Sequence, residues 1–194
     1  MKKKIIIDCD PGHDDAVAIM LAAAHNEIEI LGITCVAGNA TLANTKTNAL
    51  KVCSLINDNK IPIYAGADKP LYYELITAEH VHGKSGLDTD GHPIGISKDY
   101  DIQEIHAVDF IINTCHQQAE PIYLCPLGPL TNIALALQKD PSIKTKIKEI
   151  VFMGGAAMCL GNITPVAEFN IYVDPHAANI VLNSGVKSVM FGLD

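Results

Sequence analysis

The stretch Lys4-Ile5-Ile6-Ile7-Asp8-Cys9-Asp10-Pro11-Gly12-His13-Asp14-Asp15, running on into Ala16-Val17-Ala18-Ile19-Met20-Leu21-Ala22, decides how this chain is read. A run of β-branched residues ends in acid, turns at Pro11-Gly12 and enters an apolar, helix-like segment. β-Branched residues favour strands, and Pro and Gly favour turns. Four carboxylates (Asp8, Asp10, Asp14 and Asp15) crowd this one turn. Acids that close repel, and are tolerated beside a cation, a proton or a helix N-terminus. Helix capping would account for Asp14 or Asp15, and a satisfied strand end for Asp8. The whole cluster points instead to a cation. Its donors are oxygens, which suit Ca²⁺ or Mg²⁺ better than zinc.

Working outward, short apolar runs alternate with helical patterns. Strands are expected at Lys4–Asp8, Glu29–Val36, Ile61–Tyr64, Ile122–Cys125, Glu149–Met153 and Ser188–Leu193. Helices are expected at Asp14–His25, Leu42–Ile56, Ile105–Cys115, Leu130–Leu137 and Pro175–Asn183. In the second helix Leu42, Ala49, Val52, Cys53 and Ile56 share a face. The alternation implies an α/β fold: an open, mostly parallel sheet with helices on both faces. No internal repeat or linker divides residues 1–194, which read as a single domain. The polar run Gly66–Glu104 is too long for a plain connector and is expected to be a binding element or lid. In such sheets ligands bind at the carboxyl ends of the strands. Asp10, Gly38-Asn39, Pro126-Leu127-Gly128-Pro129 and Gly154-Gly155 all follow expected strands, so four distant loops should meet on one rim.

The composition agrees. A chain of 194 residues with 48% hydrophobic and 19% charged residues can bury a sizeable core. A net charge of −8 with scattered basic residues argues against a nucleic-acid surface. No apolar stretch is long enough to span a bilayer, and the short run after Lys4 does not make a signal peptide. The six cysteines form no Cys-x-x-Cys pair and sit mostly in apolar surroundings, which fits buried free thiols in a reducing cytoplasm.

Three further segments bear on chemistry. Asn39 is a turn residue or a ligand contact. Gly161–Asn170 carries Asn162, Glu168 and Asn170, which suit the hydroxyls of a sugar or a loop bonded to itself. His80 and His82 form a His-x-His pair with no third soft ligand in view. Asp8-x-Asp10 after a strand is also similar to the nucleophile motif of haloacid-dehalogenase-like phosphatases. Pro11-Gly12-His13 then departs from that pattern, and its later Lys and acidic pair are not evident.

The full set of motifs resembles the inosine–uridine (ribonucleoside) nucleoside hydrolases, above all bacterial members with a pyrimidine preference. Asp8-Cys9-Asp10-Pro11-Gly12-His13-Asp14-Asp15 corresponds to the signature Asp-x-Asp-Pro-Gly-x-Asp-Asp. Val36–Asn39, His82–Leu87, Leu127–Asn132, Phe152–Gly155, Ala167–Asn170 and Asp174-Pro175 follow in family order. The resemblance implies a Rossmann-like nucleoside hydrolase fold and cleavage of a ribonucleoside, such as uridine or cytidine, to ribose and free base. It implies one Ca²⁺ held by Asp10, Asp15 and the main-chain carbonyl of Leu127, with Asp10 also the general base. Asp14, Asn39, Asn162, Glu168 and Asn170 would hold ribose, Met153 would pack near it, and His82 would lie beside the base. A homodimer or homotetramer is implied too. Family members continue beyond Asp194 with a His-Asp pair, so the domain is expected to be incomplete at its C-terminus. A non-catalytic remnant that retains partial Ca²⁺ or ribose binding is the alternative.

Overall fold

The computed structural model describes residues 2–56, 61–89 and 91–194. Its strands are β1 (Lys3–Cys9), β2 (Ile28–Cys35), β3 (Ile63–Ala65), β4 (Ile102–Gln103), β5 (Ile122–Pro126), β6 (Ile147–Met153) and β7 (Ser188–Phe191). The helices are α1 (His13–Ala24), α2 (Leu42–Ile56), α3 (Glu79–His82), α4 (Ala107–Gln117), α5 (Thr131–Lys139), α6 (Phe169–Val173) and α7 (Pro175–Leu182), with a 3₁₀ turn at Pro141–Lys146. The strands form one sheet in the order β4-β3-β2-β1-β5-β6-β7. Every pairing between them is parallel.

β1 is the centre of this arrangement. Strands 2 to 4 add on one side of it and strands 5 to 7 on the other. The strand order therefore reverses between β1 and β5, where a doubly wound sheet opens a crevice at its carboxyl edge. Side chains alternate along β1. Ile5, Ile7 and Cys9 enter a core cluster with Ile19 of α1 and Val52 of α2. Ile6 enters the opposite cluster with Ile111 of α4, Ile133 of α5 and Val181 of α7. Burial on both faces is why β1 reads as an unbroken apolar run.

Boundaries differ where a local breaker overrides the pattern. The third strand lies at Ile63–Ala65 rather than Ile61–Tyr64, since Pro62 has no N–H for a ladder. The helix expected at Ile105–Cys115 runs from Ala107 to Gln117, because the His106 ring accepts a hydrogen bond from Val108 N at 3.2 Å and caps it. The expected strand Ser188–Leu193 stops at Phe191. The run Gly66–Glu104 is not wholly irregular: it holds α3 and edge strand β4, both too short to show a period. Position 90 of that run lies outside the described residues. Cys9, Cys35, Cys53 and Cys115 are buried free thiols, as expected for most of the six, whereas Cys125 is half-buried and Cys159 is exposed.

Candidate functional site

A cleft of about 180 Å³ opens at the carboxyl edge of the sheet. Its polar wall is Asp14, Asn39, Asn162, Glu168 and Asn170, with Leu127 and Met153 beneath. Its outer wall is His80, Val81 and His82 from α3, together with Ile163 and Phe169. Every residue expected to face a substrate lines this cleft. The loops after β2, β5 and β6 reach it, as the strand-end argument required, and the segment Gly66–Glu104 contributes its outer lip.

The four acids do not act as one cluster. Asp14 is exposed on the cleft wall, whereas Asp8, Asp10 and Asp15 are buried at 0%, 0% and 3% exposure. Asp8 is anchored differently, although its Oδ2 is likewise buried without a hydrogen-bond partner. One of its oxygens accepts from Thr34 Oγ1 at 2.5 Å and Asn132 Nδ2 at 2.8 Å, which ties neighbouring strands below the cleft. Asp10 and Asp15 form the true pair. Asp10 Oδ2 accepts from Asn39 N at 2.6 Å, and Asp15 Oδ2 accepts from Gly12 N at 3.1 Å, closing the start of α1. Their other oxygens, Asp10 Oδ1 and Asp15 Oδ1, are buried without a hydrogen-bond partner.

Such a pair is costly in its ionised form. Burial pushes Asp15 up to about 7, and the charge of Asp14 adds to the shift. Burial and then the Asp15 charge hold Asp10 well above the usual carboxylate range. Among the described residues no three His, Cys, Asp or Glu side chains converge as metal ligands. The pair itself offers only carboxylate oxygens, and the nearby Leu127 carbonyl accepts from Asn170 Nδ2 at 2.8 Å. An all-oxygen set with two unpartnered carboxylate oxygens fits a hard cation.

The sugar-facing side chains are held by their own loops. Glu168 caps α6, accepting from Asn170 N at 2.9 Å and Ile171 N at 3.3 Å, and it also accepts from Gly155 N at 3.0 Å. Gly155 sits at φ 85°, a left-handed conformation that glycine adopts without strain, so the chain leaving β6 can aim that N–H at Glu168. Asn170 Nδ2 donates to Leu127 O at 2.8 Å and Met153 O at 3.2 Å, joining the exits of β5 and β6. Asn39 Nδ2 donates to Asp10 O at 3.2 Å. Asn162 is exposed, and its Oδ1 accepts from Phe169 N at 2.8 Å, so this amide braces its own loop while lining the cleft.

His82 packs over Gly12, where an added Cβ would lie 2.7 Å from its Nδ1. Partial burial lowers its pKa, against the opposing pull of Asp14. Sequence reasoning missed Val81, Ile163 and Phe169, since an apolar residue in a polar loop gives no sign of lining a cleft. For His80 the only signal was the His-x-His spacing. The buried Asp174, which accepts from Thr131 Oγ1 at 2.8 Å and Leu71 N at 2.9 Å, was visible only as part of a motif.

The raised acids carry a pH signature. Burial also pushes Asp8 up to about 7. Below about pH 4 such groups are protonated in folded and unfolded chains alike. Between about 4 and 7 the unfolded chain gives up protons that the folded chain keeps, so stability falls as pH rises. In chelator, the melting temperature is expected to drop steadily from pH 5 to pH 7.5. A profile that rises across that window would contradict these environments.

Residues 5–194 match the family model described as inosine-uridine preferring nucleoside hydrolase. A pyrimidine-specific ribonucleoside hydrolase, RihB, of Escherichia coli K12 is 51% identical over 193 residues, covering 100% of this chain and 60% of that protein. Among solved structures, a plant nucleoside hydrolase (PpNRh1) superposes with a TM-score of 0.93 at 35% identity, over 100% of this chain and 60% of its own. A purine-preferring ribonucleoside hydrolase from Gardnerella vaginalis gives 0.92 at 36% identity, over 98% of this chain and 61% of its own. The chain thus spans about 60% of the length of the curated relatives it matches.

Proposed function

This chain belongs to the inosine-uridine preferring nucleoside hydrolase family, and from that premise we propose that its cleft cleaves the N-glycosidic bond of ribonucleosides. The substrates are pyrimidine ribonucleosides, uridine and cytidine, and the products are ribose and the free base. The family relatives act on nucleosides, and the polar wall suits a sugar. The observation that carries the reading is the buried pair Asp10 and Asp15, each with an unpartnered oxygen, joined to that wall through Asn39, whose N–H donates to Asp10 Oδ2 at 2.6 Å.

Asp10, Asp15 and the Leu127 carbonyl would hold Ca²⁺. When bound, the ion lowers the pKa of a neighbouring water and fixes its direction of attack. Asp10 takes the proton from the attacking water at the carboxylate oxygen that no protein group occupies. Asp14, Asn39, Asn162, Glu168 and Asn170 grip ribose hydroxyls and turn binding energy into orientation. As the base departs, positive charge develops on the sugar, and the surrounding carboxylates favour it. Met153 packs against the sugar. His82, which packs over Gly12 and feels the charge of Asp14, lies beside the base.

Residues 1–194 act as a single domain that associates as a dimer or tetramer and works in the cytoplasm without nucleic-acid or membrane partners. Among the described residues no helix is long and apolar enough to cross a membrane. A second reading follows from the fraction of its relatives that the chain spans: a fold that keeps Ca²⁺ and ribose binding but does not turn over. Incubation with uridine, cytidine and inosine, with and without chelator, separates the two. Release of base that stops on chelation and returns with Ca²⁺ is the expected result. Calcium binding without turnover favours the second reading, and neither binding nor turnover overturns both.

A further inference from the structure

Asn132, near the start of α5, is fully buried and joins three strand exits at once. Its Nδ2 donates to Asp8 Oδ1 at 2.8 Å and to Cys35 O at 3.1 Å, and its Oδ1 accepts from Ala67 N at 2.8 Å. Both donor hydrogens and the acceptor are used. The three partners lie on β1, at the end of β2, and just beyond β3. Around this amide the backbone is laced in the same way. Gly66 N donates to Cys35 O at 2.9 Å, Ala37 N to Ala67 O at 2.9 Å, and Leu127 N to Asp8 O at 2.7 Å.

The two proposed ligand segments meet here. Asp10 lies two residues past Asp8, and Leu127 lies five residues before Asn132 while bonded to Asp8 through its own N–H. Asn39, whose N–H donates to Asp10 Oδ2, follows the Cys35–Ala37 segment that Asn132 braces. The fit around the amide is tight: a Cβ on Gly66 would collide with all three terminal atoms of Asn132. We infer that Asn132 is a positioning residue, which fixes the separation of the Asp10 carboxylate and the Leu127 carbonyl through its bonds to Asp8, Cys35 and Ala67. The inference rests on the cation reading above. Residues that orient the groups contacting a metal commonly govern its affinity 10–100-fold.

The test is a CaCl₂ titration by calorimetry on the 194-residue chain, with melting measured separately in chelator. Asn132→Leu keeps the bulk and removes the three polar bonds. Gly66→Ala keeps Asn132 but drives its amide aside, and decides the matter should Asn132→Leu fail to fold. Both are expected to weaken calcium binding about 10–100-fold. The exchange Asp8→Asn with Asn132→Asp restores a donor–acceptor pair between the two positions, and should bind calcium more tightly than Asn132→Leu. A purely structural role would lower melting in chelator and leave calcium affinity untouched. Folded variants that bind calcium within twofold of the unaltered chain would overturn the inference alone. An unaltered chain that gives no heat with calcium would overturn the cation reading together with it.

Discussion

Asp10→Asn is expected to lower release of uracil from uridine about 10³-fold or more, within the upper range for loss of a general base. The substitution is nearly isosteric. The amide oxygen can still accept from Asn39 N, so the loop after β2 keeps its place. The position held by Oδ1 then carries an NH₂ group, which neither takes a proton nor serves as a cation ligand. Calcium affinity should fall with activity. Melting in chelator should not fall, because a buried carboxylate lifted well above its ordinary pKa is replaced by a neutral group of the same shape. The combination is diagnostic: lost turnover, lost calcium binding and intact folding. Unchanged uridine hydrolysis in the variant would remove Asp10 from the mechanism.

Gly128→Ala tests the same carboxylate from outside. Gly128 is buried directly after Leu127, and a methyl group there would collide with Asp10 Oδ1 and lie 3.2 Å from Val36 Cγ1. The effect is steric. The new methyl must push the Asp10 carboxyl group or the β5 loop aside, so it shifts one proposed calcium ligand relative to another. Displacements on the order of 1 Å in a reacting group cost about 10²-fold in rate, the expected fall in kcat/KM. Overpacking should also cost about 1–3 kcal/mol of stability. Gly95→Ala is the control, since an added Cβ there meets nothing within 4 Å. If Gly128→Ala and Gly95→Ala hydrolyse uridine equally well, the crowded placement of Asp10 does not govern activity.

Much of the fold was legible because it is written in local pattern. β1 is apolar on both faces, and α2 repeats its apolar positions at helical spacing, so the strand–helix alternation and parallel sheet could be read directly. The candidate cleft was legible for a related reason. Asp14, Asn39, Glu168 and Asn170 follow strands or glycine turns, and the carboxyl edge of a doubly wound sheet gathers such loops. β4 and α6 were not legible, since two and five residues are too few to show a period. Nor was the outer wall, where Val81, Ile163 and Phe169 look like ordinary core residues in sequence.

The sequence by itself determined that four acids would gather where one strand turns into a helix, and that a parallel sheet would bring distant loops to that place. Only the tertiary structure decided which acids share an environment. Asp8 is anchored by Thr34 and Asn132, Asp14 reaches the cleft, and Asp10 and Asp15 are buried together, each of the three buried acids keeping one unpartnered oxygen. The reason is that spacing along a chain fixes which residues are neighbours on one element. Desolvation and hydrogen-bond satisfaction depend on what the other elements bring, and here the deciding groups, Thr34, Asn39 and Asn132, come from 26 to 124 residues further on.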